Sequence, residues 1–512
     1  MTLPSTMLKL VAVHLTLALG AVVYAEPIPR QQSGRFSLVD DEPLFTFQYS
    51  VLNADPKNWI GIYHASGGGP VDEVYDQNSL VWAYAPQSAG TVRVPADSLR
   101  PGSYKAFFLA SDGYKWLAEP LDLDLLDSSP FGFIVPRITL KNSREGDEFS
   151  ASIGGLLVGA GSSEVEYSIT TVSSGANWAE ISVQGNITGS PSTSDSNGVW
   201  KVEAKSSAGS VASLEVTIPV RAKHEPLLDE LKVMTYNLWH GGTQVSDYHN
   251  KQVTFLVNTN ADIVGLQEST PDHGSRLARA LGWYVWQDAD VSVISRYPID
   301  HVYPRLGSYS GGVRLRLDGE CSQLNLWNVH LGYNPYGPYD FCFDRMSVEE
   351  VLIREEESNR TPQIIKTMEA MENQLANSDK VPVILLGDFN APSHLDWTDA
   401  LEEKNCGYSN VPWPTSEQPV KAGMKDSFRE AHPNPEERQG ISWSPIFLHN
   451  NGRPEPLDRI DFIYHKSNFE VLSSEELVVG DPKPEPNHQN NKWTSDHAAV
   501  LTTFRLSSER CQ

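Results

Sequence analysis

The alternation of hydrophobic and polar positions divides the chain into three segments, and the first of them covers residues 27–127. This segment contains short runs rich in aromatic and β-branched residues, with an Asp112-Gly113 turn near its end. Runs of this kind, bounded by turn residues, are typical of β-strands. The pattern predicts a small all-β sandwich whose strands include Phe45–Tyr49, Trp59–Tyr63, Leu80–Tyr84 and Tyr104–Leu109.

The second segment, residues 132–222, is also predicted to be an all-β sandwich. Hydrophobic and polar residues alternate in Val165–Ile169 and again in Leu214–Ile218, which is the period of a strand with one buried face. The stretch Asp195–Val202 resembles the penultimate strand of an immunoglobulin-like domain. Because Val202 stands where such domains often have a cysteine, the resemblance implies a domain without the inter-sheet disulfide.

The first segment also resembles an immunoglobulin-like domain. The runs Asn58–Tyr63 and Gly102–Phe107 are similar to those of SKICH-type domains, and this resemblance carries no catalytic residues. Aromatic residues such as Trp59, Trp82 and Trp178 either attach these sandwiches to a ligand or surface or simply pack their cores. Both interpretations stay open at this point.

The third segment, residues 228–508, has a different pattern, in which apolar strands alternate with helical stretches. Residues 348–376 are rich in Glu, Ile, Met and Gln and are predicted to be mostly helix. We expect a two-sheet α/β sandwich of ordinary single-domain size. Its predicted strands are Leu231–Leu238, Asp262–Gln267, Val291–Ile294, Leu324–Leu331, Val381–Leu386, Arg459–Tyr464 and Ala498–Phe504.

Composition and charge narrow the functional classes. The chain has 512 residues, of which 40% are hydrophobic and 21% charged, as in a globular protein. Its formal net charge is −25, and no run of Lys or Arg forms a basic stripe for nucleic-acid phosphates. This argues against tight DNA binding but does not exclude a nuclease, because a metal ion can supply local positive charge.

The first 25 residues are predicted to be a secretory signal peptide that is removed. Lys9 precedes the apolar stretch Leu10–Val23. The residues Val23–Ala25 then place small or apolar side chains where signal peptidase recognises its cleavage site. An N-terminal membrane anchor is the alternative, but the stretch is shorter than the roughly 20 residues a span needs. No later segment could cross a membrane. We therefore expect a secreted, extracellular protein, on which the sequons at Asn186 and Asn359 mark surface positions.

The four cysteines form no CxxC motif, which excludes redox and zinc-ribbon interpretations. An oxidising compartment favours two disulfides, and three pairings are possible. We expect Cys321–Cys342 with Cys406–Cys511, because the first two flank one strand-and-loop unit. Free buried thiols are the alternative.

Polar residues cluster at the predicted carboxyl ends of the strands of the third segment. A single carboxylate at a strand end means little, since strands run into polar loops. Six ends that carry only Asn, Asp, Glu and His indicate a convergent site. The residues are Asn237, Glu268, His330, Asp388 with Asn390, Asp461, and Asp496 with His497.

These residues stand in motifs that resemble the endonuclease/exonuclease/phosphatase superfamily. That superfamily includes DNase-like endonucleases, abasic-site endonucleases, neutral sphingomyelinases and inositol polyphosphate phosphatases. The resemblance covers about residues 231–506, and although each tripeptide is weak evidence, the ordered set is specific. The motifs are Thr235–Leu238, Leu266–Glu268, Asn328–Leu331, Gly387–Asn390, Arg459–Asp461 and Ser495–His497.

The resemblance and simple chemistry together imply a bound Mg²⁺ or Mn²⁺. A phosphoryl oxygen must be polarised by a hard cation, and Mg²⁺ takes oxygen ligands while keeping several waters. We expect Glu268 as the first metal ligand, with Asp496 completing the set directly or through water. Asn237 would supply an amide oxygen, unless it makes only a turn hydrogen bond.

The same resemblance implies catalytic roles for the other motif residues. Asp388 would hold or deprotonate the attacking water, and Asn390 would donate to a phosphoryl oxygen or orient that water. His497 would stabilise the phosphorane or protonate the leaving oxygen, with Asp461 fixing its tautomer. His330 would contact the phosphate from the opposite side. Taken alone, each histidine could equally be structural.

Some features depart from known branches of the superfamily. The sequence shows no counterpart of the carboxylate that orients His330 in the nuclease branch. Ala391–Ser393 differs from the Tyr-Arg pair of the inositol phosphatase branch, which argues against that substrate. The loop Gly332–Arg345 is rich in aromatic rings that could stack on a sugar or base, press on a lipid surface, or simply pack. The expected substrate contacts are Trp239, Tyr336, Tyr339 and Arg345.

The sequence thus predicts a secreted, metal-dependent phosphoester hydrolase, namely a phosphodiesterase acting on a small, lipid-linked or sugar-linked phosphodiester. The basic residues expected near the site are only Arg296, Arg314 and Arg345, so we expect no stable nucleic-acid complex. The alternatives are an extracellular DNA or RNA nuclease and a binding protein with a vestigial catalytic domain. The substrate's identity and the oligomeric state stay open.

Overall fold

The computed structural model describes residues 33–39, 45–65, 69–95, 99, 102–125, 130–161, 163–173, 177–192, 198–288, 290–319 and 322–506. The predicted signal peptide lies outside these residues. The described residues form two compact units, one reaching to residue 123 apart from Gly102, and the other comprising the remainder. Within the described part of the chain, we find no helix with the length and apolarity needed to span a membrane.

The first unit consists of two antiparallel sheets, with strand orders β1-β2-β5 and β4-β3-β6-β7. Aromatic side chains from the two sheets pack against each other, as Tyr49 of β2 and Phe108 of β6 do with ring centroids 5.5 Å apart. This all-β content matches the sequence pattern, and the immunoglobulin-like topology stays a prediction. The strands are β1 Gly34–Leu38, β2 Thr46–Val51, β3 Trp59–His64, β4 Val81–Tyr84, β5 Ala89–Arg93, β6 Gly102–Leu109 and β7 Leu121–Leu125.

The second unit begins with another strand-rich part, up to Arg221. Its largest sheets have the orders β13-β16-β17-β9 and β11-β15-β14, and two short pairs, β8 with β12 and β10 with β18, flank them. The strands are β8 Gly132–Phe133, β9 Arg137–Thr139, β10 Ser143–Arg144, β11 Phe149–Ser152, β12 Leu157–Val158, β13 Val165–Thr171, β14 Ala179–Ile181, β15 Asn186–Gly189, β16 Gly198–Ser206, β17 Val211–Ile218 and β18 Val220–Arg221.

The rest of the second unit is the α/β part. It contains two six-stranded mixed sheets, with the orders β21-β22-β20-β19-β32-β31 and β23-β24-β25-β26-β30-β27, and one small hairpin. Its strands are β19 Glu230–Asn237, β20 Ile263–Gln267, β21 Tyr284–Asp288, β22 Val291–Ser295, β23 Ile299–Val302, β24 Ser310–Asp318, β25 Ser322–His330, β26 Val383–Asp388, β27 Lys425–Asp426, β28 His449–Asn450, β29 Arg453–Pro454, β30 Asp461–Lys466, β31 Glu470–Leu477 and β32 Ala499–Arg505.

Helices cover the outer faces of these sheets. The predicted helical stretch 348–376 is helical but broken, because Asn359 adopts a left-handed φ of 68° between α4 and α5. A capping box formed by Ser347 and Glu350 starts α4. The helices are α1 Tyr248–Thr259, α2 His273–Leu281, α3 Gly337–Cys342, α4 Val348–Glu357, α5 Arg360–Ala376, α6 Pro414–Lys421 and α7 Ser427–Ala431.

The strand-rich part and the α/β part of the second unit share one hydrophobic core. Ile153 and Trp200 from the former are buried in the same cluster as Met234, Leu256 and Leu281 from the latter. A separate core fills the space between the two six-stranded sheets. The shared core means that the two parts pack directly against each other.

The predicted disulfide pairing is wrong. Cys342 is bonded to Cys406, with their Cα atoms 5.2 Å apart, so neither expected pair can form. The reason is tertiary: Phe341 at the end of α3 packs on Trp397 and Tyr408, with ring centroids at 5.3 and 4.3 Å. This packing brings the two distant cysteines together. Cys321 and Cys511 lie outside the described residues.

Candidate active site

Three of the predicted catalytic residues, His330, Asp388 and Asp461, converge because they stand at one end of the inward-facing rows of neighbouring strands in one six-stranded sheet. In β26, Ile384 and Leu386 face the core between the sheets, and Asp388 is the next residue of that row. His330 of β25 and Asp461 of β30 stand beside Asp388 in register across neighbouring strands. Because successive side chains of a strand point to opposite faces, the polar residue at the end of each inward-facing row follows hydrophobic ones. These polar residues together form the rim of the sheet at the active site.

Not all of these residues occupy the predicted ends of their strands. Strand β30 runs antiparallel to β26, and β32 runs antiparallel to β19. Asp461 therefore begins its strand, and Asp496 and His497 precede theirs. The expectation that every polar group stands at a carboxyl end was wrong for these three, although the strand directions bring them to the same rim.

Buried amides join the two sheets beneath this rim. Gln267 Nε2 of β20 donates to Asn328 Oδ1 of β25 at 2.7 Å, and Asn328 Nδ2 donates to the carbonyl of Ser292 at 2.8 Å. All three residues are fully buried. Satisfied hydrogen bonds of this kind hold the sheets in one relative position, so the rim residues stand on a rigid base.

The first histidine of the site has a carboxylate partner that the sequence did not reveal. His330 Nδ1 is hydrogen-bonded to Asp290, and His330 Nε2 lies 3.6 Å from Asp388 Oδ2. Burial alone would lower the pKa of His330, but Asp290 and Asp388 outweigh it and raise the pKa to about 9. His330 is therefore an imidazolium at neutral pH. Asp290 directly precedes β22, which is the one sequence signal that could have identified it.

The second histidine has the same arrangement. His497 Nδ1 is hydrogen-bonded to Asp461 Oδ2 at 2.8 Å, and His497 Nε2 lies 3.7 Å from Asp388 Oδ2. Burial opposes its charge, but Asp461 and Asp388 raise the pKa of His497 well above its ordinary value. Two cationic imidazoles thus flank a single oxygen of Asp388.

Asp388 itself is held by its neighbours. Its Oδ1 accepts the backbone N–H of Asn390 at 2.8 Å, and its Oδ2 accepts Asn237 Nδ2 at 3.0 Å. Burial raises the pKa of Asp388, an effect that the charge of His497 partly offsets. Gly387 brings the backbone of β26 so close to Val329 that a Cβ would lie 1.9 Å from its carbonyl oxygen. The result is a fixed carboxylate with raised basicity.

Glu268 forms the other side of the site, next to Asn237 and His240. Its Oε2 accepts the backbone N–H of His240 at 2.5 Å, and its Oε1 lies 3.4 Å from Asn237 Nδ2. Asn237 Oδ1 accepts the backbone N–H of Trp239 at 2.9 Å, so its amide nitrogen faces the carboxylates. This geometry favours an orienting role for Asn237, and its role as a metal ligand stays a prediction.

The backbone around the site is strained. Trp239, His240, Glu268 and Asn390 all have φ between 51° and 55°, which is unusual for residues with side chains. Each such conformation costs about 1–3 kcal/mol and is kept where the surrounding structure enforces it. His240 lies beside Glu268 in this strained segment, and its side chain is 69% exposed.

The acidic residues fit a divalent cation. Asp496 Oδ1 is buried and accepts no hydrogen bond from the described residues, and burial together with the charge of Glu268 raises the pKa of Asp496 to about 7. An orphaned carboxylate oxygen beside a second carboxylate is the donor set that a hard cation takes. Asp388, Asp461 and His497 also bring their ligand atoms within 4.8 Å of one another and could hold a metal.

These groups open into a cleft of about 570 Å³. Its walls include four carboxylates and three histidines, and no lysine or arginine among the described residues. Four of the lining residues were missed at the level of sequence because they belong to no motif, namely His240, Thr270, Asp290 and Trp443. Tyr333 lies in the aromatic loop that was expected to contact the substrate. The lining consists of His240, Glu268, Thr270, Asp290, His330, Tyr333, Asp388, Asn390, Trp443, Asp496 and His497.

The four expected substrate contacts do not line this cleft. Trp239 is buried against Phe447, and Tyr336 is buried against Tyr339. The Tyr339 hydroxyl donates to Glu455. These aromatic rings pack in the interior of the protein. The geometry gives no support to substrate binding by them, which stays a prediction.

The expected basic residues also lie outside the cleft lining. Arg345 donates to the carbonyl of Cys406 at 2.7 Å, and Arg314 donates to Asn325 at 3.0 Å. Arg296 lines a different cavity. Among the described residues, the positive charge at the cleft therefore comes from its histidines.

The chain belongs to the Endonuclease/Exonuclease/phosphatase family, whose model matches residues 234–497. This family consists of phosphoester hydrolases, among them nucleases and phosphodiesterases. An uncharacterized protein of Caenorhabditis elegans, F14F9.5, is 30% identical over 292 residues, which are 54% of this chain and 91% of that protein.

Several solved structures are similar at lower identity. Truncated TDP2 from Caenorhabditis elegans is 17% identical, with 54% of this chain and 98% of that chain covered and a TM-score of 0.35. The catalytic domain of human Nocturnin with a bound sulfate is 14% identical, with 55% and 96% covered and a TM-score of 0.37. The AP endonuclease LMAP from Leishmania major is 16% identical, with 55% and 89% covered and a TM-score of 0.36.

Proposed function

We propose that this protein is a secreted, divalent-metal-dependent phosphodiesterase that hydrolyses a small, lipid-linked or sugar-linked phosphodiester. The observation that carries the proposal is the pair of carboxylate-bound imidazoles, His330 and His497, on either side of Asp388. Two cationic donors and a fixed base at one point match the needs of phosphoryl transfer, in which negative charge spreads over the phosphoryl oxygens.

A bound Mg²⁺ or Mn²⁺ would be held by Glu268 and Asp496, and it would polarise the phosphoryl group and offset charge on the leaving oxygen. Asp388 takes a proton from the attacking water, whose oxygen then forms a bond to phosphorus while the bond to the leaving oxygen breaks. The raised pKa of Asp388 makes it a better base for this step.

His330 and His497 donate Nε2–H groups to the phosphoryl oxygens. Both Nε2 atoms lie within 3.7 Å of the base, Asp388. In an in-line displacement the leaving oxygen departs opposite the attacking water, hence away from these donors. Stabilising the phosphorane is therefore a better fit for His497 than protonating the leaving group. Asp290 and Asp461 accept hydrogen bonds from Nδ1 of the two rings and hold each ring in one orientation.

The walls of the cleft support a small, uncharged or zwitterionic leaving group. Duplex DNA carries one charge per ~1.7 Å of its axis, and its binding usually relies on several Lys or Arg contacts. No described lining residue is Lys or Arg, whereas Tyr333 exposes 73% of its surface at the cleft and Trp443 packs on His497 with ring centroids 5.0 Å apart. These two rings offer an apolar or stacking surface.

A substrate comparison tests the proposal. Purified protein with Mg²⁺ or Mn²⁺ is assayed on sphingomyelin, glycerophosphodiesters, phosphoglycans and plasmid DNA, with bis-p-nitrophenyl phosphate as a generic diester. We expect a higher kcat/KM on one of the small diesters than on plasmid at physiological salt, with all activity lost in His497→Ala. Efficient plasmid nicking that His497→Ala abolishes would instead establish a nuclease. Inactivity on every substrate would favour a binding protein.

Secretion and the immunoglobulin-like character of the strand-rich parts belong to the same proposal. The apolar stretch after Lys9 supports a cleaved signal peptide, and the exposed positions of the sequon residues Asn186 and Asn359 suit glycosylation. Expression of the full chain in a secretory host should place the protein in the medium, with its N-terminus at residue 26. Retention in the membrane fraction with Met1 intact would contradict secretion and favour an anchor.

A further inference from the structure

A second cavity, of about 340 Å³, lies within the second unit where its strand-rich part meets its α/β part. One wall comes from the region of β9, β11 and β15, and the other from the end of α2, the start of β21 and Arg296. None of its lining residues belongs to the catalytic cleft. The cavity is therefore separate from the proposed active site.

The backbones of the two parts approach closely beside this cavity. Gly282 has a φ of 68°, and a Cβ on it would lie 2.4 Å from the carbonyl oxygen of Ser152 on the opposite part. A Cβ on Gly155 would lie 2.2 Å from the carbonyl oxygen of Arg279. These glycines therefore let the two walls of the cavity meet without an intervening side chain.

Lys141 reaches this cavity without a carboxylate partner. Its Nζ lies 5.8 Å from the centroid of the Phe149 ring, and within the described part of the chain it forms no ion pair. Burial lowers the pKa of Lys141, with no carboxylate to oppose the effect. A half-buried ammonium next to an aromatic ring is costly unless an anion accompanies it.

Arg296 is the second unpaired cation. It is only 7% exposed, stacks on Trp283 with its guanidinium carbon 5.3 Å from the ring centroid, and donates to Asn260 Oδ1 at 2.7 Å. Its Nε is buried and has no acceptor among the described residues. Asp262 attracts it electrostatically without an ion-pair contact, and burial still lowers the pKa of Arg296. Guanidinium groups this buried are almost always paired.

We propose that this cavity binds a small organic anion, whose carboxylate or phosphate is held between Lys141 and Arg296. Ser150, Ser152 and Thr188 add polar groups to the lining, and Leu140 and Tyr284 add apolar surface for the body of the ligand. Two unpaired cations and no carboxylate among the lining residues make the cavity an anion site, and the apolar wall favours an organic anion over a purely inorganic one.

Ligand titrations test this site directly. The protein is made in a host that does not glycosylate, since Asn186 and Thr188 of the lining form a sequon. Thermal unfolding and calorimetry are recorded with EDTA, using benzoate and inorganic phosphate as probes and neutral benzyl alcohol as the matched control. We expect saturable binding and a raised Tm with benzoate, a smaller effect with phosphate, and none with benzyl alcohol.

Variants assign the binding to the cavity. Lys141→Met should weaken benzoate binding about tenfold or more, because a charged contact is lost, whereas the exposed Lys205→Met should not change it. Thr188→Glu places a carboxylate at the cavity, so it should raise the Tm of the ligand-free protein above that of Thr188→Gln and abolish the benzoate response. Both Thr188 variants lack the sequon, so the comparison isolates the charge.

Three results would overturn the proposal. The first is an equal Tm for Thr188→Glu and Thr188→Gln with an unchanged benzoate response in both. The second is benzoate binding that Lys141→Met leaves intact. The third is binding that disappears in His497→Ala, which would assign the anion to the catalytic cleft. The readouts are binding and Tm, so they are independent of the proposed hydrolase activity.

Discussion

The two cavities of the second unit carry opposite charge. The catalytic cleft is lined by Glu268, Asp290, Asp388 and Asp496 without a lysine or arginine among the described residues. The junction cavity is lined by Lys141 and Arg296 without a carboxylate among them. Both cavities partly remove charged groups from water, and this desolvation costs free energy where a charge has no partner. The cleft therefore suits the proposed cation, and the junction cavity suits the proposed anion.

The charged groups of both cavities lower the stability of the folded protein. In both cavities the charges raise the free energy of the empty folded protein, and a ligand of the opposite sign relieves it by mass action. The two differ in their neighbours: the cleft contains histidines that share charge with the acids, whereas the junction is lined, apart from its two cations, by hydroxyl, amide and apolar groups. Changing charge in one cavity should leave the other unaffected, since additivity holds for separate sites.

The largest effect should follow removal of the cation from the cleft. EDTA should abolish turnover, and Mg²⁺ or Mn²⁺ should restore it, because a cluster of carboxylates cannot otherwise approach a phosphate. Glu268→Gln should raise the metal concentration needed for half-maximal rate and lower the maximal rate, while the exposed Glu349→Gln changes neither. Full activity of the metal-free protein would contradict this requirement. Benzoate binding at the junction should be the same with and without the metal.

Loss of the central base or its flanking donor should come next. Asp388→Asn and His497→Ala should each lower kcat by about 10²-fold or more, because each removes an interaction made in the transition state. Lys141→Met, at the junction, should leave kcat unchanged. A double-mutant cycle with Asp461→Asn and His497→Ala should be strongly non-additive, and additive costs would mean that Asp461 does not act through His497.

A smaller and pH-dependent effect should follow Asp290→Asn. Asp290 helps keep the pKa of His330 near 9, so His330 stays protonated as the pH rises toward that value. Without Asp290 the burial of the ring lowers its pKa, and the alkaline limb of the kcat profile should move to lower pH. A pKa lowered by about one unit should give roughly a twofold loss at pH 8, and one lowered by about two units roughly a tenfold loss, with a lesser loss at pH 6. Asp288→Asn, which loses only the pair with Arg305, should keep the wild-type profile.

Removal of the exposed ring at the cleft should change substrate binding only modestly. Tyr333→Ala should raise KM for the preferred diester by roughly three- to tenfold, in line with the usual contribution of a stacking contact. It should change KM for bis-p-nitrophenyl phosphate less. Tyr284→Ala, which removes a half-exposed ring at the junction cavity, is the matched control and should change neither value. Equal effects of the two variants would mean that Tyr333 does not contact the substrate.

The smallest effect concerns stability. Burial raises the pKa of Asp496 to about 7, so its folded-state pKa lies above the unfolded value, and its ionisation destabilises the fold as the pH rises from about 4 to 7. Asp496→Asn should raise the Tm of the metal-free protein by roughly 2–4 °C at pH 8. A lower Tm in this variant at pH 8 would show that the carboxylate stabilises the site.

The ordered motifs were enough to predict the family and the convergence of the polar residues. His330 and Asp388 end rows of alternating inward-facing positions, so the local period that predicts these strands also predicts that these two side chains reach the rim. Asp290 was missed because its partner, His330, comes from the other sheet. Substrate contact by Tyr336 and Tyr339 was predicted from the aromatic composition of their loop. That composition is the same whether the loop packs inside or faces a ligand.

By itself, the sequence determined the strand-rich first part of the chain, the α/β character of the last and the identity of the polar rim, because these depend on local periodicity and on residue type. The tertiary structure alone decided the Cys342–Cys406 pairing, the partner of each histidine, the charge of the cleft and the existence of a cationic cavity at the junction. Those properties depend on which distant segments meet, and burial then sets what each charged group costs or contributes.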